Sequence, residues 1–149
     1  MTKKTLFKKI LAMTVVLLLA FVCFSGCKNS TQIIGETEFI EIEVDNSEET
    51  GELSYTAPLK IDDENKIKEL TDIVNGAEKY TEDEFMTFES CPIVTFYLTD
   101  GSNIKVVASD YKGIFYISKK WDFSDKELYN IDPDIKLASY IQELYEQNK

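Results

Sequence analysis

The side chains that could do chemistry in this chain are its carboxylates, lysines and cysteines. The chain has 27 Asp and Glu residues against 16 cationic side chains, all of them lysine, and it has no histidine. Without histidine it lacks the usual acid/base residue near neutral pH, a Ser-His or Cys-His dyad, and the commonest metal ligand. Without arginine it lacks the bidentate fork that binds phosphate or carboxylate. Paired carboxylates, or a metal ion that carboxylates hold, could in principle still support hydrolysis.

Calcium is the metal that carboxylate and carbonyl oxygens would hold outside a cell. Asp62, Asp63 and Glu64 form one candidate set of ligands, and the acidic segments 45–48 and 82–84 are two others. None of these segments has the spacing of an EF-hand loop. The same residues are equally typical of a helix cap, a solvated turn and a loop. We therefore predict no resident metal ion and no other cofactor.

The first 27 residues have the three-part layout of a secretory signal. Lys3, Lys4, Lys8 and Lys9 precede an uncharged run of 15 residues, Ile10–Phe24. As a helix this run would be about 22 Å long, which is short for a hydrocarbon core of about 30 Å. The layout therefore favours a cleaved signal over a permanent membrane span.

The four residues that end this segment, Phe24-Ser25-Gly26-Cys27, resemble the lipobox of bacterial lipoproteins. The resemblance implies cleavage between Gly26 and Cys27, and diacylation of the Cys27 sulfur by palmitate-type chains. Two acyl chains give the double anchor that stable membrane attachment needs. We expect a lipoprotein on the extracytoplasmic side of the cell membrane. The alternatives are an ordinary secretory signal and a short uncleaved anchor.

Such processing would change both the charge and the thiol content of the chain. Removing residues 1–26 takes away four lysines and no carboxylate, which leaves 12 lysines against 27 carboxylates, a net charge of −15. An acidic surface without arginine is not expected to bind nucleic acid. Cys91 becomes the remaining free thiol, and we interpret it as a small buried hydrophobic residue because neither histidine nor a positive environment is evident around it.

The mature chain reads as one domain. We predict a lipidated tether at residues 27–35 and a single α+β domain at residues 36–149. The domain would hold a mostly antiparallel sheet of about five strands with two helices on one face, in the order β-β-α-β-β-β-α. Alternating apolar residues and turn signals place the strands at 40–44, 53–57, 93–98, 103–108 and 114–118, and residues 121–130 could be a loop or a short strand. Asp62 or Asp63 would cap the first helix, and Asp132-Pro133 would begin the second.

Three features of the mature chain resemble the YhfM-like domain, a small module of lipid-anchored proteins in Gram-positive bacteria. They are the segment Pro58–Leu70, the Tyr97-Leu98-Thr99-Asp100-Gly101 hairpin, and Tyr129 before a C-terminal helix. The resemblance covers about Glu52–Leu144. It implies a location and a fold, and it brings no catalytic residues.

Aromatic residues crowd the last predicted strand and the segment after it. Tyr111, Tyr116 and Trp121 could form an exposed patch that stacks on a sugar or accepts a partner protein. The alternative is that these rings complete the core. We predict a binding module without catalytic activity. Its lipid would attach it to the membrane, and its folded domain would bind an envelope protein or an unidentified ligand. The alternative is a small carboxylate- or metal-dependent hydrolase at the cell envelope.

Overall fold

A sheet of seven strands and two helices make up the fold. The structure, a computed structural model, describes residues 32–47, 51–52, 54–81, 88, 90–120 and 122–149. Within these residues the elements are β1 Thr37–Glu43, β2 Leu59–Ile61, α1 Glu64–Asn75, β3 Glu78–Lys79, β4 Ile93–Leu98, β5 Asn103–Ala108, β6 Ile114–Ser118, β7 Glu127–Asn130 and α2 Leu137–Glu146. The strands lie in the order β2-β1-β4-β5-β6-β7-β3, and every neighbouring pair is antiparallel.

The hairpin of β4 and β5 is at the centre of the sheet. Val94 lies opposite Val106 and Phe96 lies opposite Ile104, as the alternation of apolar residues predicts. The turn between the strands uses Gly101 at φ 84°, a conformation that costs glycine no steric strain. The predicted bounds of both strands are confirmed.

Helix α1 begins after Asp63, one of the two residues predicted to cap it. The Asp63 carboxylate accepts hydrogen bonds from the backbone N–H groups of Asn65 and Lys66, at 2.9 and 3.3 Å. This is the N-cap arrangement, and it satisfies donors that the helix itself leaves unpaired. Gly76 is the C-cap, so the helix stops at the glycine.

Both helices pack on the same face of the sheet. The cross-strand register places Ile40, Phe96, Ile104 and Val106 on one face, and these residues belong to one buried apolar cluster. The inward stripes of the two helices join the same cluster; they are Ile67, Leu70 and Val74 of α1 and Leu137, Ile141 and Leu144 of α2. We call this face the helix-covered face, and the opposite one the second face.

Helix α2 begins five residues later than Asp132, which corrects the predicted start. The Asp132 side chain instead accepts from Asp134 N–H at 3.0 Å and forms a turn. The cap of α2 comes from a distant segment, because the Asp110 carboxylate accepts from Ala138 N–H at 2.9 Å and also from the hydroxyl of Ser139. Local sequence signals do not reveal a helix cap that comes from a distant turn.

The predicted α+β class, with an antiparallel sheet and two helices, is confirmed, whereas the described residues form seven strands where about five were predicted. Within residues 54–57, the described part of the predicted strand 53–57, the pairing is an isolated bridge between Tyr55 and Asp45. The strand that pairs with β1 is Leu59–Ile61, which follows Pro58. The two further strands are β3 and β7, which pair with each other at the far edge. None of the described helices is long and apolar enough to span a membrane.

Candidate functional site

The second face carries a row of polar side chains that crosses the centre of the sheet. Cross-strand pairing aligns Lys60, Glu41, Thr95, Lys105 and Ser118 on five successive strands. The last three are only 4%, 5% and 1% exposed. Burying a polar group without a hydrogen-bond partner costs free energy. Three buried polar side chains in one row therefore distinguish this face from an ordinary apolar one.

Aromatic rings flank this polar row. Phe39 stacks on Tyr97 with their ring centroids 4.4 Å apart, and Lys60 Nζ lies 4.1 Å from the Phe39 centroid. Both faces of the Phe39 ring are therefore in contact. The Tyr97 hydroxyl donates to Glu41 Oε2 at 2.7 Å, and this bond to a carboxylate raises the pKa of Tyr97 to about 12.

The loop after β6 covers the Ser118 end of the row. The Ser118 hydroxyl donates to Asp125 Oδ1 at 2.5 Å, which draws the loop back towards the sheet. Phe123, at φ 55°, places its ring edge-on to Tyr116 at 5.5 Å, and Lys105 Nζ lies 5.6 Å from the Phe123 centroid. Burial of this amine lowers the pKa of Lys105, and the charges of the nearby carboxylates of β1 oppose that shift.

The members of the predicted aromatic patch lie in different environments. Tyr116 is half-buried on the second face between Phe88 and Phe123, and burial raises its pKa to about 12. Tyr111 lies in the turn between β5 and β6, where it is 57% exposed and Lys112 Nζ lies 5.2 Å from its ring centroid. Trp121 lies outside the described residues. The patch therefore remains a prediction.

The predicted calcium ligands lie at the start of α1. Asp62, Asp63 and Glu64 are exposed, and the Asp63 carboxylate is engaged by the helix as its N-cap. Among the described residues no group of three or more acidic or cysteine side chains is arranged to hold a metal ion. The segment 82–84 lies outside the described residues.

Cys91 lies half-buried just before β4. Burial raises the pKa of its thiol, and the nearby Asp110 charge adds to the shift. The backbone carbonyl of Cys91 accepts from the Tyr55 hydroxyl at 3.2 Å. A raised pKa keeps the thiol protonated near neutral pH, whereas a nucleophilic cysteine needs the thiolate.

Five described carboxyl groups have shifted pKa values, and each pKa is lowered. For Asp45, Asp100 and Asp125 the largest cause is a hydrogen bond from a serine hydroxyl, and for Asp122 it is a bond from the Ser124 backbone. For Glu127 it is the hydrogen bond from Lys79, at 2.8 Å. These carboxylates stabilise turns and a strand pair.

A polar cleft of about 490 Å³ lies past the end of β1, beside the last turns of α2. Its chemistry comes from carboxylates, amides, hydroxyls and one ammonium group. Its lining residues are Val44, Asp45, Asn46, Thr56, Ser90, Gln142, Tyr145, Glu146 and Lys149. They come from four separate segments of the chain, so no local spacing signals the cleft.

The chain enters the fold at the opposite end of β1. Asn75, in the last turn of α1, accepts from the N–H groups of Ile33 and Ile34 at 2.8 and 2.7 Å, and its own amide donates to Ile34 O at 3.0 Å. Ile34 is fully buried, although it lies within the segment predicted as tether. We therefore count Ile33 and Ile34 with the folded domain.

Comparisons of the chain with protein-family models, with curated proteins and with solved structures find no match. The resemblances to the lipobox and to the YhfM-like domain therefore remain predictions.

Proposed function

We propose that this chain is a lipid-anchored extracytoplasmic lipoprotein whose folded domain is a binding module without catalytic activity. The basic start, the apolar run and the small residues before Cys27 support the anchor. The domain would then contact the membrane through its acyl chains, and its exposed surfaces would face other components of the envelope.

The direction of the carboxyl pKa shifts is the observation that carries the non-catalytic part of the proposal. A glycoside hydrolase needs one carboxyl group with a raised pKa to act as general acid. Each described carboxyl with a shifted pKa is shifted downwards, because serine, backbone or lysine donors stabilise its charged form. These groups are suited to holding turns in place, and they stay ionised at neutral pH.

Substitution of Cys27 tests the anchor. We expect the wild-type chain to incorporate labelled palmitate and to sediment with membranes. The variant Cys27→Ser should lose the label, and should either remain uncut or leave the membrane fraction. Cys23→Ser and Cys91→Ser are matched controls that should keep both properties. Unchanged labelling and membrane retention in Cys27→Ser would refute the proposal.

Turnover assays test the absence of catalysis. The purified chain should release no product from chromogenic glycosides or esters over several hours, with or without added Ca²⁺. Turnover that disappears in Glu41→Gln or Glu43→Gln, which alter two carboxylates of the second face, would support the hydrolase instead. An envelope partner would be sought by cross-linking in intact cells, with Cys27→Ser as the control for localisation.

A further inference from the structure

The dipeptide Asn75-Gly76 lies at the end of α1, and its sequence is chemically labile. An asparagine that precedes a glycine is prone to deamidation, because glycine has no side chain to hinder the attack of its backbone nitrogen on the asparagine carboxamide. In an unfolded chain this reaction runs without a catalyst. Asn75-Gly76 is the one Asn-Gly pair in the sequence.

The folded backbone restrains the nucleophile of this reaction. The Gly76 N–H donates to Asp72 O at 3.0 Å and to Ile73 O at 3.2 Å. Attack requires the nitrogen to lose its proton and the Asn75 backbone to leave the helical conformation, and both changes break these hydrogen bonds. The end of a helix frays at low cost, so backbone bonds in the last turn give limited protection by themselves.

The carboxamide of Asn75 is held by the N-terminal segment, which we define as residues 32–36. It accepts from the N–H groups of Ile33 and Ile34 at 2.8 and 2.7 Å, and it donates to Ile34 O at 3.0 Å. Ile34 is fully buried, and Ile33 packs against the same apolar cluster. Release of the carboxamide therefore requires the end of α1 to separate from a segment that is anchored in the core.

We propose that Asn75 is a deamidation site whose reaction is controlled by docking of the N-terminal segment. The site is protected while Ile33 and Ile34 are docked. It reacts when local opening frees both the carboxamide and the Gly76 nitrogen. This chemistry requires neither a lipid anchor nor a ligand, so it is independent of the proposed function.

The reaction needs water as its co-reactant and no oxidant or reductant. The deprotonated Gly76 nitrogen attacks Cγ of Asn75, a bond between this nitrogen and Cγ forms, and the bond from Cγ to Nδ2 breaks. Ammonia leaves, and the proton that Gly76 gives up ends on it. Water then opens the cyclic imide at either of its carbonyl groups, which gives aspartate or isoaspartate at position 75.

Neither product restores all the bonds to the N-terminal segment. Aspartate has no N–H to donate to Ile34 O, and isoaspartate carries its carboxylate one carbon closer to Cα. Both products also place a negative charge at the C-terminus of α1, where the helix dipole disfavours it. An opening that lasts long enough for reaction would therefore change the attachment of this segment permanently.

Mass spectrometry of the mature chain, incubated at mildly alkaline pH, tests the proposal. Brief digestion with trypsin releases residues 69–79, in which Asn75 is the one amide side chain. The mass difference between an amide and a carboxyl group is therefore assigned directly to this residue. The synthetic peptide of residues 69–79 gives the unprotected rate. We expect the folded chain to deamidate at least about tenfold more slowly than this peptide.

Paired substitutions separate docking of the N-terminal segment from general stability. Ile34→Ala weakens the docking and should raise the rate at Asn75 at least about tenfold. Leu137→Ala removes an equally buried side chain at the start of α2 and should leave the rate unchanged. Urea denaturation establishes that both variants fold. Ile33→Pro, which removes one donor N–H, is a second variant with the same expected direction as Ile34→Ala.

Gly76→Ala tests the chemical route. Gly76 has φ −77°, and a Cβ there would lie 3.4 Å from its nearest backbone oxygens, so alanine fits this position. Combined with Ile34→Ala, it should suppress the deamidation by hindering attack on the carboxamide. Three outcomes would overturn the inference: the folded chain reacts as fast as the peptide, Ile34→Ala and Leu137→Ala give the same rate, or Gly76→Ala leaves the rate unchanged.

Discussion

The two faces of the sheet bury different kinds of side chain. The helix-covered face contributes apolar side chains such as Phe96 and Phe115, which are fully buried beneath α1 and α2. The second face has a polar row that includes the buried Thr95, Lys105 and Ser118, bordered by aromatic rings. The first arrangement gains stability from apolar area, whereas the second depends on hydrogen bonds and ring contacts that must each be satisfied.

This difference indicates how stability and specificity are divided in a small domain. Helices supply continuous apolar stripes, so the face beneath them tolerates only apolar residues of suitable volume. The second face is covered in part by a loop, in which Phe123 and Asp125 reach back to the sheet. Substitutions there should change titration behaviour more than they change the free energy of unfolding.

Neighbouring aromatic residues of β6 give the largest expected effect. Phe115→Ala removes a fully buried ring from the helix-covered face, and should lower the free energy of unfolding by about 3–5 kcal/mol. Tyr116→Ala removes a half-buried ring from the second face and should cost about 1–2 kcal/mol. Urea denaturation measures both values. Equal losses would mean that the second face is part of the main core.

Substitution of Lys105 tests the polar row. It should change the free energy of unfolding less than Phe115→Ala does, and in a direction that the pKa shift of Lys105 defines. The folded state lowers the pKa of Lys105 because the amine is buried, so folding favours its neutral form. Lys105→Met removes the burial of a charge and should be as stable as the wild type at pH 7, or more stable by about 1 kcal/mol.

The pH dependence of this difference is the sharper measurement. The wild-type chain should gain stability relative to Lys105→Met as pH rises from the lowered pKa towards the ordinary lysine value of about 10.4. Urea denaturation at several pH values checks the sign. Lys68→Met, at an exposed position of α1, is the control and should show no such trend. A trend of the opposite sign would contradict a desolvated amine.

Tyr97 gives the smallest effect on stability and the most local one. Its pKa is raised to about 12, chiefly by the hydrogen bond to Glu41. Folding therefore favours the neutral phenol, and the resulting stability is present below pH 10 and is lost as pH rises through about 12. Glu41→Gln should return the pKa towards 10, which NMR of ring-labelled tyrosine would detect. Tyr97→Phe assigns the signal. An unchanged pKa in Glu41→Gln would mean that burial alone is responsible.

The elements that the sequence predicted well have their signals within a few residues. The hairpin of β4 and β5 combines strict alternation with the Asp100-Gly101 turn, and both strands have their predicted bounds. Helix α1 has an aspartate at its N-cap and a glycine at its C-cap, which are local signals of the same kind.

The elements that the prediction missed depend on distant partners. Strand β3 has only two residues, Glu78 and Lys79, and exists because β7 pairs with it. The N-cap of α2 is supplied by Asp110, 28 residues before Ala138. The Lys105 amine likewise lies 5.6 Å from the ring centroid of Phe123, which belongs to a later loop. No period or motif encodes such contacts, so the polar row and the cleft could not be predicted.

The three hydrogen bonds of Asn75 to Ile33 and Ile34, which we call the Asn75 clamp, would have a mechanical consequence under the proposed lipid anchoring. A pull on the N-terminal segment, for example when the envelope stretches, would reach the fold first at the three hydrogen bonds of this one side chain. They join the segment to the end of α1, so part of the load would pass into a helix that is packed on the sheet before it reaches the start of β1, where Thr37 pairs with Leu98. The clamp would thus take up part of the pulling force before that force reaches the hydrogen bonds between β1 and its neighbouring strands.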